Sequence, residues 1–421
     1  MKRFDLEFCA RSTGSWDGIR ADELLGFLRP KCKEILTVER LQQKLTGAEK
    51  LRVKFGIDPT GSDVHLGHIV PLMLLRLFAK AGHHIDLVIG DFTARIGDPT
   101  AREHSRDPLS NEQIAANLST YRSQIGKYVD LNHLHVHHNA EWLSSLPLTE
   151  VFTIFQQISL SEAVQREDFR ARMKNKQAVS LAEVCYGVLM GIDSVHLGSH
   201  VEIGGTDQLL NFQQCRSVMR NSGMEEEIIL TTPILEGTSG DGKKMSKSYG
   251  NYIAVNTSLE DKFGKVMSLP DRLIGQYFRS FADVHERELD ELERCIASDP
   301  LEAKKQLATL IVALEAGLDA GLRERESFER RFSQKDLREE DCSELTAQEG
   351  DQLVDVLLRS GAFKSKSALR HLFEQRAVRL RVGNKEETLT FETLATQVGD
   401  GIVRVGKRQL FKICSSEGGA S

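Results

Sequence analysis

The stretch from Leu51 to Gly90 constrains the fold more than any other. Leu51 to Ile57 reads as a buried strand and ends at Asp58-Pro-Thr-Gly-Ser-Asp; a helical pattern starts near His65 and stops at Gly82; Ile85 to Gly90 reads as a second strand. Strand, glycine-containing turn, helix, strand is a βαβ unit. Its crossover is right-handed, and its ligand is expected at the carboxyl end of the first strand, beside the helix N-terminus. The tetrapeptide His65-Leu66-Gly67-His68 falls on that spot. Apolar runs at Val201 to Ile203 and Ile228 to Pro233, separated by a helical pattern from Asp207 to Arg220, extend the sheet. The expected fold over residues 1–256 is therefore α/β, a doubly wound, Rossmann-like parallel sheet with a helical N-terminal extension.

From Leu259 to about Arg330 the apolar residues recur at three- and four-residue spacing, clearest through Gln306 to Leu318, and predict an α-helical domain over 257–331. Phe332 to Gly350 is polar, acidic and poor in large apolar side chains, and reads as a linker. Residues 351–421 are expected to form a small basic α+β domain. Charge supports setting it apart: from Asp351 onward 12 Lys/Arg stand against 8 Asp/Glu, although the whole chain carries −6. A basic end on an acidic body suits contact with RNA. No apolar run approaches the ~20 residues that cross a bilayer, and the N-terminus lacks the apolar core of a signal peptide. A cytoplasmic protein with no membrane partner is expected. The seven cysteines are scattered without a CxxC pair, which argues against a zinc site or a redox dithiol; they read as reduced.

Two imidazoles flanking a glycine at a helix start can donate to a triphosphate, while Gly67 lets a flat purine lie against the backbone. About 180 residues later the chain reads Lys244-Met245-Ser246-Lys247-Ser248. Two lysines on a mobile, glycine-flanked segment can close over leaving phosphates and hold negative charge as it builds. A four-residue HxGH arises by chance, and a Lys/Ser loop alone is ordinary solvated surface. Both together, in this order, are specific.

On these residues the chain resembles the class I aminoacyl-tRNA synthetases and, more narrowly, the bacterial tyrosyl-tRNA synthetase family. KFGIDPTGSDVHLGH (Lys54 to His68), IGDFTARIGDPT (Ile89 to Thr100), VEIGGTDQ (Val201 to Gln208) and KKMSKSYGNYI (Lys243 to Ile253) look like that family's segments, in its order. The resemblance implies a tyrosine-tRNA ligase that uses ATP with Mg²⁺ as substrate, holds no tight cofactor, charges a tRNA and works as a homodimer. It implies that His65 and His68 grip the phosphates and that Lys244 and Lys247 follow the pyrophosphate. Asp58, Gly67, Gly205, Asp207, Met245 and Ser246 would complete the ATP site, with Asp207 on the ribose and Asp63 in the nearby turn. The amino-acid pocket would comprise Lys54, Asp98, Tyr186, Met190, Asp193 and Gln208, with Asp98 and Tyr186 at the ammonium and Asp193 at the phenol hydroxyl. The helical domain would meet the anticodon arm. SGAFKSKSALRHLFEQRAVRLRV (Ser360 to Val382) and GIVRVGKRQLFKI (Gly401 to Ile413) look like a small RNA-binding fold shared with a ribosomal protein, whose helix would turn Lys364, Lys366 and Arg370 toward phosphates.

Tyr186, Met190 and Asp193 are four and three residues apart and so project from one helical face. Core packing gives the same stripe, but an Asp within it then needs a buried partner. Two positions depart from the family pattern. Met190 stands where an ammonium-binding Gln is usual, and Lys54 where many members carry a second tyrosine. The helix YGVLMGID is also similar to the tryptophanyl enzymes, which carry Met at this place. A paralogue activating a different aromatic or non-protein amino acid, in a specialised biosynthetic pathway, therefore stays open beside the tyrosine enzyme. An RNA-binding protein without catalysis fits less well, because both signature histidines and both lysines are kept.

Overall fold

The computed structural model describes residues 11–14, 18–59, 61, 64–100, 110–156, 158–164, 167–331, 342–348, 350–363, 365–382, 385–398, 401–406 and 409–415. Asp63 and Lys364 lie outside them. The chain divides into two compact units, Met1–Arg325 and Glu326–Ser421.

The first unit is built on a six-stranded sheet of β1 (Glu34–Leu36), β2 (Arg52–Ile57), β3 (His84–Ile89), β4 (His135–His138), β5 (Val201–Gly205) and β6 (Ile228–Thr232), in the order β1-β6-β5-β2-β3-β4. All neighbours run parallel except β1, which lies antiparallel on the β6 edge. Parallel strands are covered on both faces and read as largely apolar runs; β6 does so, while β3 and β5 each carry one buried carboxylate residue, Asp86 and Glu202. The two outer strands escaped the sequence reading because Glu-Ile-Leu is too short and His-Val-His-His has no apolar run.

The chain leaves β2 outward to β3 and β4, then returns to the other side of β2 as β5. The switch point thus falls between β2 and β5, where Val53 pairs with Val201 and Lys54 with Glu202. Helix Leu66–Lys80 is buried along almost its whole length and directs its N-terminus at that switch. Helix Leu181–Leu197 starts on a capping box, Ser180 with Glu183, and ends at Gly198, whose φ of 62° is a left-handed cap that only glycine takes without strain.

The expected helical segment forms helices Leu259–Met267, Ile274–Phe281, Leu289–Ser298, Pro300–Ala316 and Leu318–Glu329. Buried lysines tie it to the sheet layer. Lys80 Nζ meets Asp283 Oδ2 at 2.9 Å, Lys31 Nζ donates to the Ala282 carbonyl at 2.5 Å, and Lys262 donates to the Val255 carbonyl at 3.0 Å and pairs with Glu315. Among the described residues no helix is long and apolar enough to cross a membrane, and the six described cysteines are free thiols.

The second unit is a five-stranded sheet, β7 (Ser343–Ala347), β8 (Val378–Val382), β9 (Lys385–Thr388), β10 (Ile402–Val405) and β11 (Gln409–Ser415), in the order β7-β11-β10-β8-β9. Helices Leu353–Arg359 and Lys366–Glu374 bury Leu353, Val354, Leu357 and Leu369 in its core. The linker reading of 332–350 is corrected here, because Ser343–Ala347 pairs parallel with β11. Its polar composition conceals an alternation that sends Leu345 and Ala347 toward the core.

Because this unit has its own core, Leu357→Ala should cost about 2–5 kcal/mol and act locally. Hydrogen exchange followed by mass spectrometry should show faster exchange over residues 342–415 and unchanged protection in β2, β3 and β5. Equal loosening of both units would contradict the separation.

Candidate active site

At the carboxyl ends of β2 and β5 the first unit opens a cavity of about 440 Å³. It is lined by His65, Gly67, His68, Asp58, Asp98, Tyr186, Met190, Asp193, Gly205, Asp207, Gln208, Lys244, Met245 and Ser246. Residues separated by up to 190 positions therefore converge where a doubly wound sheet places its ligands.

His65 is the N-cap of helix Leu66–Lys80. Its Nδ1 accepts from Gly67 N at 3.2 Å, and His68 Nδ1 accepts from His65 N at 3.2 Å. With both Nδ1 atoms acting as acceptors, the remaining proton of each neutral ring sits on Nε2, leaving two N–H donors. The rings lie 3.9 Å apart. Desolvation, His68 and then Lys247 and Lys244 push His65 down to about 3. Desolvation and Lys247 lower His68 to about 4, although its ring faces the open cleft. Both rings are therefore neutral donors at physiological pH. Gly67 leaves room for the His65 ring: a Cβ there would stand 3.0 Å from it, so the ring would have to yield.

The lysine signature is folded back onto this helix. Leu66 N donates to the Ile253 carbonyl at 3.0 Å and Val255 N to the Val64 carbonyl at 2.9 Å, so the strand-like segment after the loop is stitched to the residues around His65. Inside the loop, buried Asn251 accepts from Ser246 N at 2.9 Å and donates to the Lys244 carbonyl at 3.2 Å. Lys247 is exposed and does not line the cavity, but its charge acts on both histidines.

The other end of the cavity is a chain of hydrogen bonds. Tyr186 donates its hydroxyl to Asp58 Oδ2 at 2.9 Å, Thr93 donates to Asp58 Oδ1 at 2.7 Å, Asn139 Nδ2 reaches Thr93 Oγ1 at 3.2 Å and Asp193 Oδ2 at 3.3 Å, and Trp142 Nε1 donates to Asp193 Oδ1 at 2.8 Å. Gly90 makes room for it, since a Cβ there would sit 1.9 Å from Asp58 Oδ1. Asp98 Oδ2 accepts from Gln208 Nε2 at 2.7 Å, and Gln208 Oε1 accepts from Asn211 at 2.8 Å. Burial raises the Asp58 carboxyl to about 7 and Asp193 to about 6; in Asp193, Lys54, Trp142 and Asn139 oppose the rise.

Lys54 departs from its expected place. It is 1% exposed, does not line the cavity, and pairs with Glu202 Oε1 at 2.8 Å. A ligand cannot reach it directly. Thr93, Asn139, Trp142 and Glu202 were not singled out in the sequence. Thr93 and Glu202 lay inside recognisable stretches, whereas Asn139 and Trp142 follow the unmarked strand β4. In the second unit Lys366 donates to Asp355 at 2.8 Å, and the Arg370 guanidinium lies 4.7 Å from the centre of the Phe391 ring.

Residues 46–333 match the family described as tRNA synthetases class I (W and Y). A tyrosine–tRNA ligase of Thermotoga maritima is 37% identical over 400 residues, covering 94% of this chain and 98% of that protein. One of Aquifex aeolicus is 35% identical over 394 residues, covering 94% and 99%. The solved tyrosyl-tRNA synthetase of Archaeoglobus fulgidus complexed with L-tyrosine superposes with a TM-score of 0.57 at 23% identity, over 72% of this chain and 99% of that one, a likeness of fold.

The histidine geometry is directly testable. Long-range ¹H–¹⁵N spectra of the free protein should show His65 and His68 neutral, protonated on Nε2, from about pH 5.5 to 8. A midpoint near ~6.5, the ordinary value, for either ring would contradict the assignment.

Proposed function

Because the chain belongs to the class I tRNA synthetases, in the branch that serves tryptophan and tyrosine, we infer that it is a tyrosine-tRNA ligase, activating tyrosine with ATP and passing it to the 3′ end of a tRNA. The observation that carries this reading is one cavity in which two neutral imidazole donors and a lysine loop face a pocket ended by the Asp193 carboxylate. The substrate carboxylate attacks the α-phosphate of Mg²⁺-bound ATP and pyrophosphate leaves; a ribose hydroxyl of the terminal adenosine then attacks the acyl carbonyl and AMP leaves. No protein nucleophile is needed, so catalysis rests on positioning and on charge stabilisation.

In this reading His65 and His68 donate Nε2–H to phosphate oxygens at a helix N-terminus, and Lys244 and Lys247 stabilise charge on the departing pyrophosphate. Asp207, exposed beside Gly205, takes the ribose hydroxyls. Asp98, Tyr186 and Gln208 surround the ammonium, joined by Asp58, which the resemblance had set in the ATP site but which accepts from the Tyr186 hydroxyl. Met190 offers only a weak thioether acceptor there, so the ammonium end relies on the two carboxylates and on the Tyr186 and Gln208 oxygens. Asp193 accepts from the phenol hydroxyl. The basic second unit contacts tRNA, Lys364, Lys366 and Arg370 lending charge. A second copy of the chain covers the apolar surface left by Leu148, Phe152, Leu160 and Leu181, each more than half exposed.

ATP–pyrophosphate exchange with each amino acid in turn tests the assignment. Tyrosine should exceed tryptophan and phenylalanine; if another amino acid is preferred, the paralogue reading that Met190 favours replaces this one. Lys244→Ala and Lys247→Ala should each slow adenylate formation by about 10²–10³ while altering the KM for ATP much less, the signature of a contact made in the transition state. Unchanged pre-steady-state rates would remove the loop from the mechanism.

A pH profile follows from Asp58. Its carboxyl is protonated below about 7 in the free protein, and only the ionised form attracts an ammonium. The KM for tyrosine should therefore rise as pH falls through 7, with kcat at saturation less affected. A flat KM between about pH 6 and 8 would exclude Asp58 from ammonium binding.

A further inference from the structure

We propose that Lys54 is a positioning residue for the amino-acid pocket. From below the cavity it holds the turn Met190–Ser194 in place and supplies the positive charge that keeps the Asp193 carboxylate ready to accept from a donor at the far end of the substrate side chain. The proposal deepens the tyrosine reading and rests on it.

The geometry leaves Lys54 no freedom for a direct role. An ammonium carries three N–H donors, and all three are committed: to Glu202 Oε1 at 2.8 Å, to Ser194 Oγ at 2.5 Å and to the Met190 carbonyl at 3.0 Å. Lys54 and Glu202 stand opposite one another in register across β2 and β5, so the sheet itself fixes the pair. The two helix contacts grip the one turn that carries both Met190 and Asp193 to the cavity. Displacing this ammonium would free that turn from the sheet.

The charges around Asp193 show why a cation belongs there. Trp142 Nε1 and Asn139 Nδ2 occupy its two oxygens, and His196 stacks on Trp142 at 4.4 Å while His137 meets its edge. Asp91 and Asp58 bring negative charge from the ends of β3 and β2, and Tyr186 and Cys215 are neutral neighbours. Behind Lys54 stand Glu202 and Glu227, both buried, the latter accepting from Ser199 Oγ at 2.8 Å. Burial disfavours ionised Asp193, and Lys54 is the strongest influence against that. Burial also disfavours charge on Lys54, but Glu202 and then Glu227 outweigh it and hold the ammonium well above its ordinary range; burial and then Glu227 push the Glu202 carboxyl itself upward, with Lys54 opposing, so the two buried glutamates together carry less than two full negative charges.

Two substitutions that break the same ion pair separate an electrostatic role from a merely structural one. Lys54→Met removes the cation. Glu202→Gln keeps the side chain's shape and removes whatever negative charge this carboxyl sets against the cation. The chain has two tryptophans, Trp16 and Trp142, so in a Trp16→Phe background the step in Trp142 fluorescence that Asp193→Asn abolishes reports protonation of the carboxylate it touches, apart from the adjoining His196 and His137, without any ligand. Lys54→Met should raise that titration midpoint by about one unit or more. Glu202→Gln should leave it in place or lower it. In Lys54→Met the rise in the KM for tyrosine below about pH 7, which Asp58 begins in the parent, should steepen from one proton toward two as Asp193 moves up from about 6 into the same range, while kcat on the alkaline side stays within about threefold of the parent, since no reacting atom is touched.

Equal shifts in both variants, or a loss of melting temperature with neither midpoint moved, would overturn the proposal. If Lys54→Met does not fold, Glu202→Gln still decides, because a raised midpoint there contradicts it. Should the parent protein fail to activate tyrosine, the tyrosine reading falls, and the fluorescence titration still judges Lys54 by itself.

Discussion

The active cleft depends on the parallel pairing of β2 with β5. Two short stretches of strand meet there, Val53 with Val201 and Lys54 with Glu202, although almost 150 residues of chain separate them. That pairing opens the crevice beyond the strand ends, sets the N-terminus of helix Leu66–Lys80 over it, and brings the GGTDQ turn opposite the HxGH turn. The ion pair inside it is buried, and a buried pair seldom adds much stability over apolar packing of the same volume. Its worth here lies in register and in the charge it places under Asp193.

Burial sets the protonation states throughout the site. Desolvation in the cleft, together with the nearby Lys247 charge, keeps both histidines neutral, so they serve as hydrogen-bond donors whose tautomer is fixed by Nδ1 contacts to backbone amides. It raises Asp58 and Asp193 into the neutral range. For a carboxyl whose folded value lies above its unfolded one, the folded state binds more protons, so stability falls as pH rises between the two values. The site is held in a state that costs stability near neutral pH, and an incoming ammonium or hydroxyl partner relieves it.

The Tyr186–Asp58–Thr93–Asn139–Asp193–Trp142 chain joins the two ends of the amino-acid pocket through side chains alone. A Met at position 190 fits this arrangement, because its neighbours already satisfy one another and the position needs no further acceptor. Gly90 shows how tightly the chain is built, since any side chain there would collide with Asp58.

Sequence alone determined the βαβ start, the helix start near His65 and the central strands, because each depends on local periodicity or on a short motif, while most residues of the cavity were reached through the family resemblance that those motifs carry. It also marked the helical character of the segment after Leu259 and the basic end, although most of that helical segment belongs to the same compact unit as the sheet. The short and polar strands β1, β4 and β7 were invisible, since each becomes a strand only by pairing with an edge that another segment provides. The role of Lys54 was equally out of reach. A lysine on a strand beside the signature reads as a ligand contact, and only the tertiary structure, by setting Glu202, Ser194 and the Met190 carbonyl around it, turned its charge away from the cavity. Asn139 and Trp142 reach Asp193 for the same reason: hydrogen-bond partners more than 50 residues apart are chosen by the packing of the sheet, and nothing in their local sequence records it.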